Sequence, residues 1–401
     1  MFLAMLVGLS SAILRAQDIQ QVYQIPLETI AFVDGASTYY KYGINIGIGG
    51  GTAQTFEFDT GGEGFYAAYA PDSWWGPKVG PAGESFTKTF GSNISYGGNV
   101  VTGTGLAFYS VAGSSSPILN LGNTFAVGKA DTITQDSTTL WSGTSTASSP
   151  PPVQGAFYGD FGLSLKKGAH GVENVFAQLS YGNGVSGGYI VSTGTYGSPN
   201  GTGTVQVGLT QADLTNPNTT WFTMSGSSSE MFTGSNFHTF AAELLTAKVK
   251  LSTESGDEHG FAIGVNLDTG NPTPGIDYKP EDGSILAPFS TDGRLSNNVT
   301  LEIEAVPTSG GSEQPVLQFP AGDLYGQNLV YEKERSDGGD TYLNIGTKLF
   351  QEYQVTYDLE NGRIGFTPYA VPEPGTWALL ALGAALAGVH RLRRAKAPAA
   401  G

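Results

Sequence analysis

The chain has 401 residues, carries a formal net charge of −16 and contains no cysteine. The negative charge excludes nucleic acid and anionic lipid as natural partners, and the lack of cysteine excludes disulfides, thiolate nucleophiles and cysteine-based metal sites. The length allows two domains or one large two-lobed domain. With 13% charged residues and 58 glycines, the composition is typical of a secreted, turn-rich β protein.

Residues 1–16 form an apolar stretch that ends in Leu14-Arg15-Ala16 and leads into polar sequence. An apolar N-terminal stretch of this kind predicts a secretory signal peptide. A basic start is missing and the cleavage site is imperfect, so a buried first strand or helix is the alternative. The signal-peptide interpretation predicts that the rest of the chain is exported.

Between residues 20 and 370 the sequence predicts β structure almost throughout. Short segments of alternating apolar and polar residues recur between turns rich in Gly, Asn and Ser. The clearest strand segments are 40–48, 104–111, 203–209, 245–253 and 352–369, the last with a hairpin turn at Asn361-Gly362. Short helices are predicted at 172–179 and 347–353. Residues 132–152 contain few apolar residues and end in a Pro run, which predicts a surface loop.

One tripeptide occurs twice in equivalent surroundings. FEFDTGG at 56–62 runs from alternating aromatic residues into Asp59-Thr60-Gly61, and GVNLDTG at 264–270 runs in the same way into Asp268-Thr269-Gly270. A single DTG is an ordinary turn at the end of a strand. Here each copy is followed, 103 and 78 residues after its Asp, by an apolar stretch that ends in Gly162 or Gly346. The chain therefore contains two weakly similar halves.

This order resembles that of the pepsin-like aspartic protease family, over residues 40–370. Five blocks in family order carry the resemblance, namely residues 40–71, 93–103, 174–193, 264–270 and 345–368. The resemblance implies an all-β, bilobal pepsin-like acid protease fold with the active-site cleft between two pseudo-symmetric lobes. We expect the N-terminal lobe to span residues 20–188 and the C-terminal lobe residues 189–370.

The resemblance also implies a catalytic pair formed by Asp59 and Asp268. Two carboxylates within hydrogen-bonding distance repel each other when both are ionised, so they titrate as a coupled pair that holds one proton. Such a pair can activate water against a peptide bond without a covalent intermediate. The expected activity is that of an aspartic endopeptidase acting on polypeptides, with no cofactor and no metal. The residues expected to support the pair are Thr60, Gly61, Thr269 and Gly270.

SYGGNVVTG at 95–103 is similar to the flap hairpin of that family, which covers the cleft and excludes water. In the family a Tyr near the flap tip donates a hydrogen bond, and the resemblance assigns that position to Tyr96, with residues 104–111 as the return strand. Phe90 in FGSNISYG has the same spacing to a Gly. The register with Phe90 at the tip is therefore the alternative.

Two positions depart from the family pattern. A hydroxyl residue normally follows each DTG and hydrogen-bonds the outer oxygen of the aspartate, whereas this chain has Gly62 at the first site and Asn271-Pro272 at the second. An amide can substitute at the second site, but no neighbouring residue does so at the first. The alternative function is therefore a catalytically inactive pepsin-fold surface or matrix protein that binds extracellular polysaccharide or peptide. A purely structural matrix protein fits the composition but leaves the paired DTG loops unexplained.

Residues 371–401 have three parts: Pro372, Glu373 and Pro374, then the apolar run 377–389, then a basic cluster between Arg391 and Lys396. Their order resembles the PEP-CTERM sorting signal of Gram-negative bacteria. The resemblance implies recognition by an exosortase at the Pro-Glu-Pro motif and delivery to the cell surface or extracellular matrix. The apolar run is shorter than the roughly 20 residues of a full span, so we expect a short helix that anchors the chain transiently in the inner membrane; a plain C-terminal anchor is the alternative. We expect the protein to be a monomer.

Overall fold

A computed structural model of the chain describes residues 18–34, 37–122, 125–194, 203–321 and 330–369. The predicted signal peptide and the predicted C-terminal apolar helix lie outside these residues. Within the described ranges, no helix is long and apolar enough to cross a membrane. Residues from Pro368 onward belong to a separate unit, of which only its first two residues are described.

The first part of the chain forms the strands β1 (Asp18–Ile19), β2 (Tyr23–Asp34), β3 (Ser37–Ile48), β4 (Gln54–Asp59), β5 (Phe65–Ala68), β6 (Ala82–Thr89), β7 (Ile94–Thr104), β8 (Leu106–Tyr109), β9 (Leu119–Asn120), β10 (Phe125–Gln135), β11 (Thr138–Trp141), β12 (Gly159–Gly162), β13 (Ser180–Tyr181), β14 (Ser186–Ser192), β15 (Gly203–Leu209) and β16 (Thr220–Thr223).

The later part forms β17 (Leu245–Thr253), β18 (Glu258–Asn266), β19 (Gly275–Tyr278), β20 (Ser290–Thr291), β21 (Arg294–Leu295), β22 (Val299–Ala305), β23 (Gln314–Pro320), β24 (Tyr331–Glu334), β25 (Tyr342–Asn344), β26 (Tyr353–Asp358) and β27 (Arg363–Pro368). The α-helices are one turn long: α1 (Gln211–Leu214), α2 (Gly283–Leu286) and α3 (Lys348–Glu352). Short 3-10 helices span Ala169–Gly171, Phe176–Gln178, Pro280–Asp282 and Ala287–Phe289.

Two large sheets account for the all-β, two-lobed architecture. The first has the order β16-β27-β26-β14-β15-β2-β3-β4-β12-β5-β10-β7-β6, with β11 on β10 and β8 between β3 and β9. The second has the order β20-β21-β24-β19-β25-β18-β17-β22-β23. Strands β14, β15, β16, β26 and β27 lie at or beyond the predicted lobe boundary at residue 188 but extend the first sheet. The lobe boundaries 20–188 and 189–370 therefore stay a prediction.

The sheets contain the same four-strand arrangement, which explains why the sequence repeats. In the first sheet, β12 is parallel to β4 and antiparallel to β5, and β5 is parallel to β10. In the second sheet, β25 is parallel to β18 and antiparallel to β19, and β19 is parallel to β24. Because β4 and β18 each lead into a DTG, the repeat delivers the two loops to equivalent places in the two lobes.

The core beneath the first DTG is aromatic. Phe56 on β4 packs edge-on against Phe65 with ring centroids 4.9 Å apart, and Phe65 packs against Phe161 on β12 at 5.3 Å. All three rings are fully buried, and burial of each contributes about 1.5–3 kcal/mol. The alternation of strand side chains puts Glu57 and Asp59 on the opposite face of β4 from Phe56, where they line a cavity.

The predicted strand segments are confirmed, and two of the other predictions need correction. Residues 132–152 are not simply a surface loop, because β10 continues to Gln135 and β11 returns from Thr138 after a turn at Asp136-Ser137. Buried Ile133 and Trp141 attach this hairpin to the core. The largely polar composition of the segment made these two apolar residues easy to overlook. The helix predicted at 172–179 shrinks to the single 3-10 turn at 176–178, whereas α3 lies within the helix predicted at 347–353.

Candidate active site

The two DTG loops meet at the floor of one cavity. Asp59 ends β4 and Asp268 follows β18 by two residues. Each carboxyl lies against the glycine of the other loop, and the two carboxyls interact closely enough to raise the pKa of Asp268. The cavity has a volume of about 520 Å³ and is lined by residues of both sheets. The structure thus brings the two predicted aspartates together from positions 209 residues apart in the sequence.

The threonine of each DTG loop forms hydrogen bonds with the loop of the other lobe. Thr60 Oγ1 donates to Leu267 O at 2.7 Å and accepts from Thr269 N at 3.0 Å. Thr269 Oγ1 donates to Phe58 O at 2.7 Å and accepts from Thr60 N at 3.0 Å. Both threonines are buried, so the four bonds form without competition from water. This symmetric exchange fixes the distance between the two aspartates.

Gly61 and Gly270 allow the carboxyls to approach. Gly61 N donates to Asp59 Oδ1 at 2.7 Å, and Gly270 N donates to Asp268 Oδ1 at 2.8 Å. A Cβ at Gly61 would lie 2.7 Å from Asp268 Oδ1, and a Cβ at Gly270 would lie 2.6 Å from Asp59 Oδ1. Both distances are shorter than a carbon–oxygen contact tolerates, so each loop needs a residue without a side chain opposite the aspartate of the other lobe.

The proton shared by the two aspartates is assigned to Asp268 by the pKa of that residue. Burial raises the pKa of Asp268 to about 8, and the negative charge of Asp59 and the hydrogen bond between the two carboxyls act in the same direction. A hydrogen bond from Asn344 and the positive charge of Lys41 lower this pKa but do not cancel the increase. At acidic and neutral pH Asp268 is therefore the protonated partner.

The outer oxygen of Asp59, Oδ2, faces a third carboxyl group. Asp160 on β12 is buried, and its interaction with Asp59 raises the pKa of Asp160. A Cβ at Gly62 would lie 2.6 Å from Asp59 Oδ2 and 2.8 Å from Asp160 Oδ1. The space that a hydroxyl side chain would need after the first DTG is thus taken up by Asp160. Gly62 is the residue that leaves room for it.

The outer oxygen of Asp268 is bound from the equivalent strand. Asn344 on β25 donates from Nδ2 to Asp268 Oδ2 at 2.6 Å. Its Oδ1 accepts from Gly346 N at 2.9 Å, which fixes the orientation of the amide. The side chain of Asn271 has a different partner, Thr273 N at 3.4 Å. An amide does substitute for the expected hydroxyl at this site, but it comes from Asn344 and not from Asn271.

A buried ion pair borders the site. Lys41 Nζ lies 2.6 Å from Glu57 Oε1, and both residues are 5% exposed. Each charge compensates the other, which a buried charge requires. Lys41 also lowers the pKa of both Asp160 and Asp268 through its charge. The first-lobe wall of the cavity is therefore polar and contains a fixed positive charge.

The predicted flap corresponds to the hairpin of β6 and β7, whose turn lies at residues 90–93. Phe90 N donates to Ile94 O at 2.9 Å, and Asn93 N donates to Phe90 O at 3.0 Å. Phe90, the alternative of the two candidates, is therefore at the tip. Tyr96 lies on β7 behind the tip and is 1% exposed, with its ring 5.2 Å from that of Phe90. Both rings line the cavity.

The predicted return strand of the flap is wrong. Residues 106–109 form β8, which pairs with β3 and β9 rather than with β7. Gly97-Gly98 do not form a turn, because β7 runs through them and pairs with β6 on one side and β10 on the other. The sequence signal was misleading because two consecutive glycines mark turns more often than strand interiors.

One carboxylate ties the flap to the first DTG loop. Glu63 binds Lys88 of β6 and Lys166, each at 2.9 Å. Burial by itself raises the pKa of Glu63, but the hydrogen bonds and charges of the two lysines outweigh it and lower the pKa. The two lysines therefore favour the ionised form of Glu63, which links β6 to the first DTG loop.

Sequence reasoning missed Asp160 and Asn344, although a signal was present. Each is a polar residue two positions before the Gly that ends an apolar strand, in GDFG and YLNIG. A buried polar group in such a strand needs a partner, and the repeat predicts the same partner type in both lobes. Among the described residues, no group of three or more His, Asp or Glu has the arrangement to hold a metal ion.

Comparison with protein families identifies a sorting motif near the C-terminus. A family model for the PEP-CTERM protein-sorting motif matches residues 370–394, which include Pro372, Glu373 and Pro374. This motif indicates export and sorting to the bacterial cell surface, with recognition by exosortase machinery. A search of curated proteins found no match.

Two solved structures similar to this chain are an aspartic proteinase and a globulin. The aspartic proteinase from Irpex lacteus superposes with a TM-score of 0.51 at 14% identity, over 89% of this chain and 100% of the other. Basic 7S globulin from soybean gives a TM-score of 0.49 at 9% identity, over 88% and 98%. The proteinase match shows that the chain has the pepsin-like fold. The fold alone does not identify an activity.

Proposed function

We propose that the protein is an exported aspartic endopeptidase in which Asp59 and Asp268 activate water against a peptide bond. The observation that carries the proposal is the contact between the two carboxyls, which come from equivalent loops of the two lobes and face one cavity. The raised pKa of Asp268 supports it, because a pair that holds one proton contains both an acid and a base.

The chemistry follows from the assignment of the proton. Asp59 accepts a proton from a water molecule bound between the carboxyls, and the resulting hydroxide attacks the carbonyl carbon of the substrate. Asp268 donates its proton to the carbonyl oxygen, which gives a neutral tetrahedral diol. Asp59 then passes its proton to the amide nitrogen while Asp268 takes a proton back from one hydroxyl of the diol. The C–N bond breaks, an amine and a carboxylic acid are released, and the pair returns to its starting protonation state. No covalent enzyme intermediate forms.

The supporting residues hold this geometry. The bonds of Thr60 and Thr269 across the lobes fix the spacing of the pair, and fixed spacing lowers the entropic part of the barrier. We assign to the flap, with Phe90 at its tip and Tyr96 behind it, the role of covering a bound polypeptide and excluding water. The substrate class is an unfolded or extended polypeptide, and the enzyme acts as a monomer without cofactor.

The export machinery acts at the other end of the chain. We propose that an exosortase of a Gram-negative bacterium recognises Pro372, Glu373 and Pro374, while residues 377–389 anchor the chain transiently in the inner membrane. The expectation of an inactive surface protein rested on the missing hydroxyls at Gly62 and Asn271. Asp160 and Asn344 now occupy the places of those hydroxyls, which favours the protease.

Proteolysis by the purified full-length protein tests the proposal. An unfolded protein substrate is incubated with it from about pH 2 to pH 7, with and without a statine-type inhibitor. The matched variants are Asp59→Asn and Asp268→Asn, with Asp292→Asn as control. Asp292 is exposed in a turn at a φ of 53°, where Asn is well tolerated. Cleavage by wild type and control alone supports the protease; a folded wild type that cleaves nothing contradicts it.

A further inference from the structure

The strands beside the dyad each place one polar side chain at the same position. Asp160 lies two residues before Gly162 on β12, and Asn344 lies two residues before Gly346 after β25. Each side chain contacts the aspartate of its own lobe. The internal repeat therefore pairs Asp160 with Asn344, and the two should serve the outer oxygens in the same way.

The two groups differ in what they can donate. An amide carries N–H donors at every pH, whereas a carboxyl group is a donor only when it is protonated. Asp160 Oδ1 is buried and accepts no hydrogen bond from any donor in the described part of the chain. An ionised carboxylate in this position would face the charge of Asp59 without a partner, which is strongly unfavourable.

We propose that Asp160 is a positioning residue whose protonated carboxyl donates a hydrogen bond to the outer oxygen of Asp59, in place of the hydroxyl that Gly62 lacks. The inference rests on the proposed function, because the bond holds Asp59 in the orientation and ionised form that the reaction needs. It assigns to the first lobe a donor that works only in acid, opposite a permanent donor, Asn344, in the second lobe.

Most of the surroundings of Asp160 favour its protonated form. Burial raises the pKa of Asp160 well above that of an ordinary Asp, the charges of Asp59 and Glu57 raise it further, and the hydrogen bond to Asp59 adds to this. Lys41 lowers it. The charged and titratable groups that face Asp160 are Asp59 and Glu57 on β4, Lys41 on β3, Tyr66 on β5 and Tyr96 on β7.

Protonation of Asp160 has a signature that does not depend on catalysis. In the unfolded chain Asp160 loses its proton near pH 4, whereas the folded protein retains it to higher pH, so stability falls as pH rises between the two pKa values. Asp160→Asn removes this dependence and keeps the shape and a donor. The folding equilibrium constant of the variant should therefore gain on wild type by up to about tenfold per pH unit above pH 4.

The pH dependence of activity gives the second signature. For Asp160→Asn we expect the alkaline limb of kcat/KM to move upward by about one pH unit or more, because the donor no longer titrates. Asp160→Leu has a similar volume but no donor, and we expect at least about tenfold lower kcat/KM at every pH. A merely structural role would leave the alkaline limb of Asp160→Asn where it is in wild type.

Gly62 provides an independent variant should Asp160→Leu fail to fold. Gly62→Ser alone places its Cβ against Asp59 and Asp160 and should lose most activity, whereas Gly62→Ser with Asp160→Ala has room for the hydroxyl and should recover it. The inference is overturned if the stability difference between Asp160→Asn and wild type is independent of pH, or if Gly62→Ser is tolerated beside Asp160. If wild type cleaves no substrate, the proposed function fails, while the stability measurement still decides whether Asp160 is protonated.

Discussion

The aspartate pair has an inner side, formed by the contacts between the two lobes, and an outer side, formed by the groups beside the Oδ2 atom of each aspartate. The two sides differ in how closely the lobes match. On the inner side the lobes are matched residue by residue: Thr60 mirrors Thr269, and Gly61 mirrors Gly270, with equal bonds to within 0.1 Å. On the outer side the first lobe presents a carboxyl, from Asp160, and the second an amide, from Asn344. The contacts between the lobes use identical side chains, whereas the outer oxygens of the two aspartates face different groups.

The difference has a functional consequence. Replacing a hydroxyl by an amide leaves a donor at all pH values, but replacing it by a carboxyl makes the donor conditional on acid. The site as a whole is then restricted to the pH range in which Asp160 and Asp268 are both protonated.

Loss of either dyad carboxyl should have the largest effect. Asp59→Asn and Asp268→Asn remove the base and the acid, and each should lower kcat by about 10²–10⁴-fold. Because the two act as one unit, the double variant should lose little more than either single variant. Steady-state kinetics on one peptide measures this, with Asp292→Asn as the unaffected control. Losses that multiply in the double variant would mean that the two carboxyls act independently.

Removal of one exchanged threonine should be the next largest effect. Thr60→Val and Thr269→Val keep the shape but each leaves a buried carbonyl and a buried N–H unpaired, which costs about 1–3 kcal/mol of unfolding free energy. The inner side is symmetric, so the two variants should lose similar amounts, and Thr60→Ser and Thr269→Ser should retain most stability. Urea unfolding followed by fluorescence measures the difference. Unequal losses of unfolding free energy in the two Val variants would contradict the symmetry of the Thr60 and Thr269 contacts.

Replacing Asn344 by Asp gives the second lobe the same kind of outer group, a carboxyl, as the first lobe. Asn344→Asp makes the second donor conditional on acid, so kcat/KM should be near the wild-type value at low pH. As pH rises, the variant should lose activity earlier than wild type, by about one pH unit. The pH profile of kcat/KM checks this. A profile that coincides with that of wild type would show that Asp268 does not need the donor.

The flap attachment should give the smallest effect. Lys88→Met removes one of two lysines from Glu63, and a partly exposed ion pair contributes about 0.2–1 kcal/mol. Because these lysines lower the pKa of Glu63, the contribution is present above the ordinary Glu pKa and is lost as pH falls through the lowered value. We expect KM to rise by about two- to fivefold with kcat unchanged at pH 5–6. A large fall in kcat would instead place Lys88 in the chemistry.

The sequence allowed the fold and the inner side of the site to be predicted, because both depend on local patterns. Alternating strands, paired DTG loops and the order of blocks are features of neighbouring residues, and strands such as β15 and β17 lie where the pattern places them. The repeat supplied the two DTG loops, and the pairing of Asp59 with Asp268 was what the resemblance to the pepsin-like family implied.

The outer side could not be predicted because it depends on packing between distant strands. Asp160 lies 101 residues after Asp59, and Asn344 lies 76 residues after Asp268, so the polar residue before each strand-ending Gly becomes informative only once that strand is known to lie beside the loop. The flap register failed for a related reason. Whether two glycines form a turn or lie inside a strand depends on the strands that pair with them, here β6 and β10.

Binding of a statine-type inhibitor tests directly whether Asp59 and Asp268 form one catalytic site that shares a proton. The hydroxyl of such an inhibitor mimics the tetrahedral intermediate, and mimics of this kind bind far more tightly than substrates, by about 10²-fold or more. Titration calorimetry at pH 4–5 with the full-length protein compares wild type with Asp268→Asn and Asp292→Asn. We predict tight one-to-one binding to wild type and Asp292→Asn and none to Asp268→Asn. Equal binding to all three proteins, or no binding to folded wild type, would contradict the account.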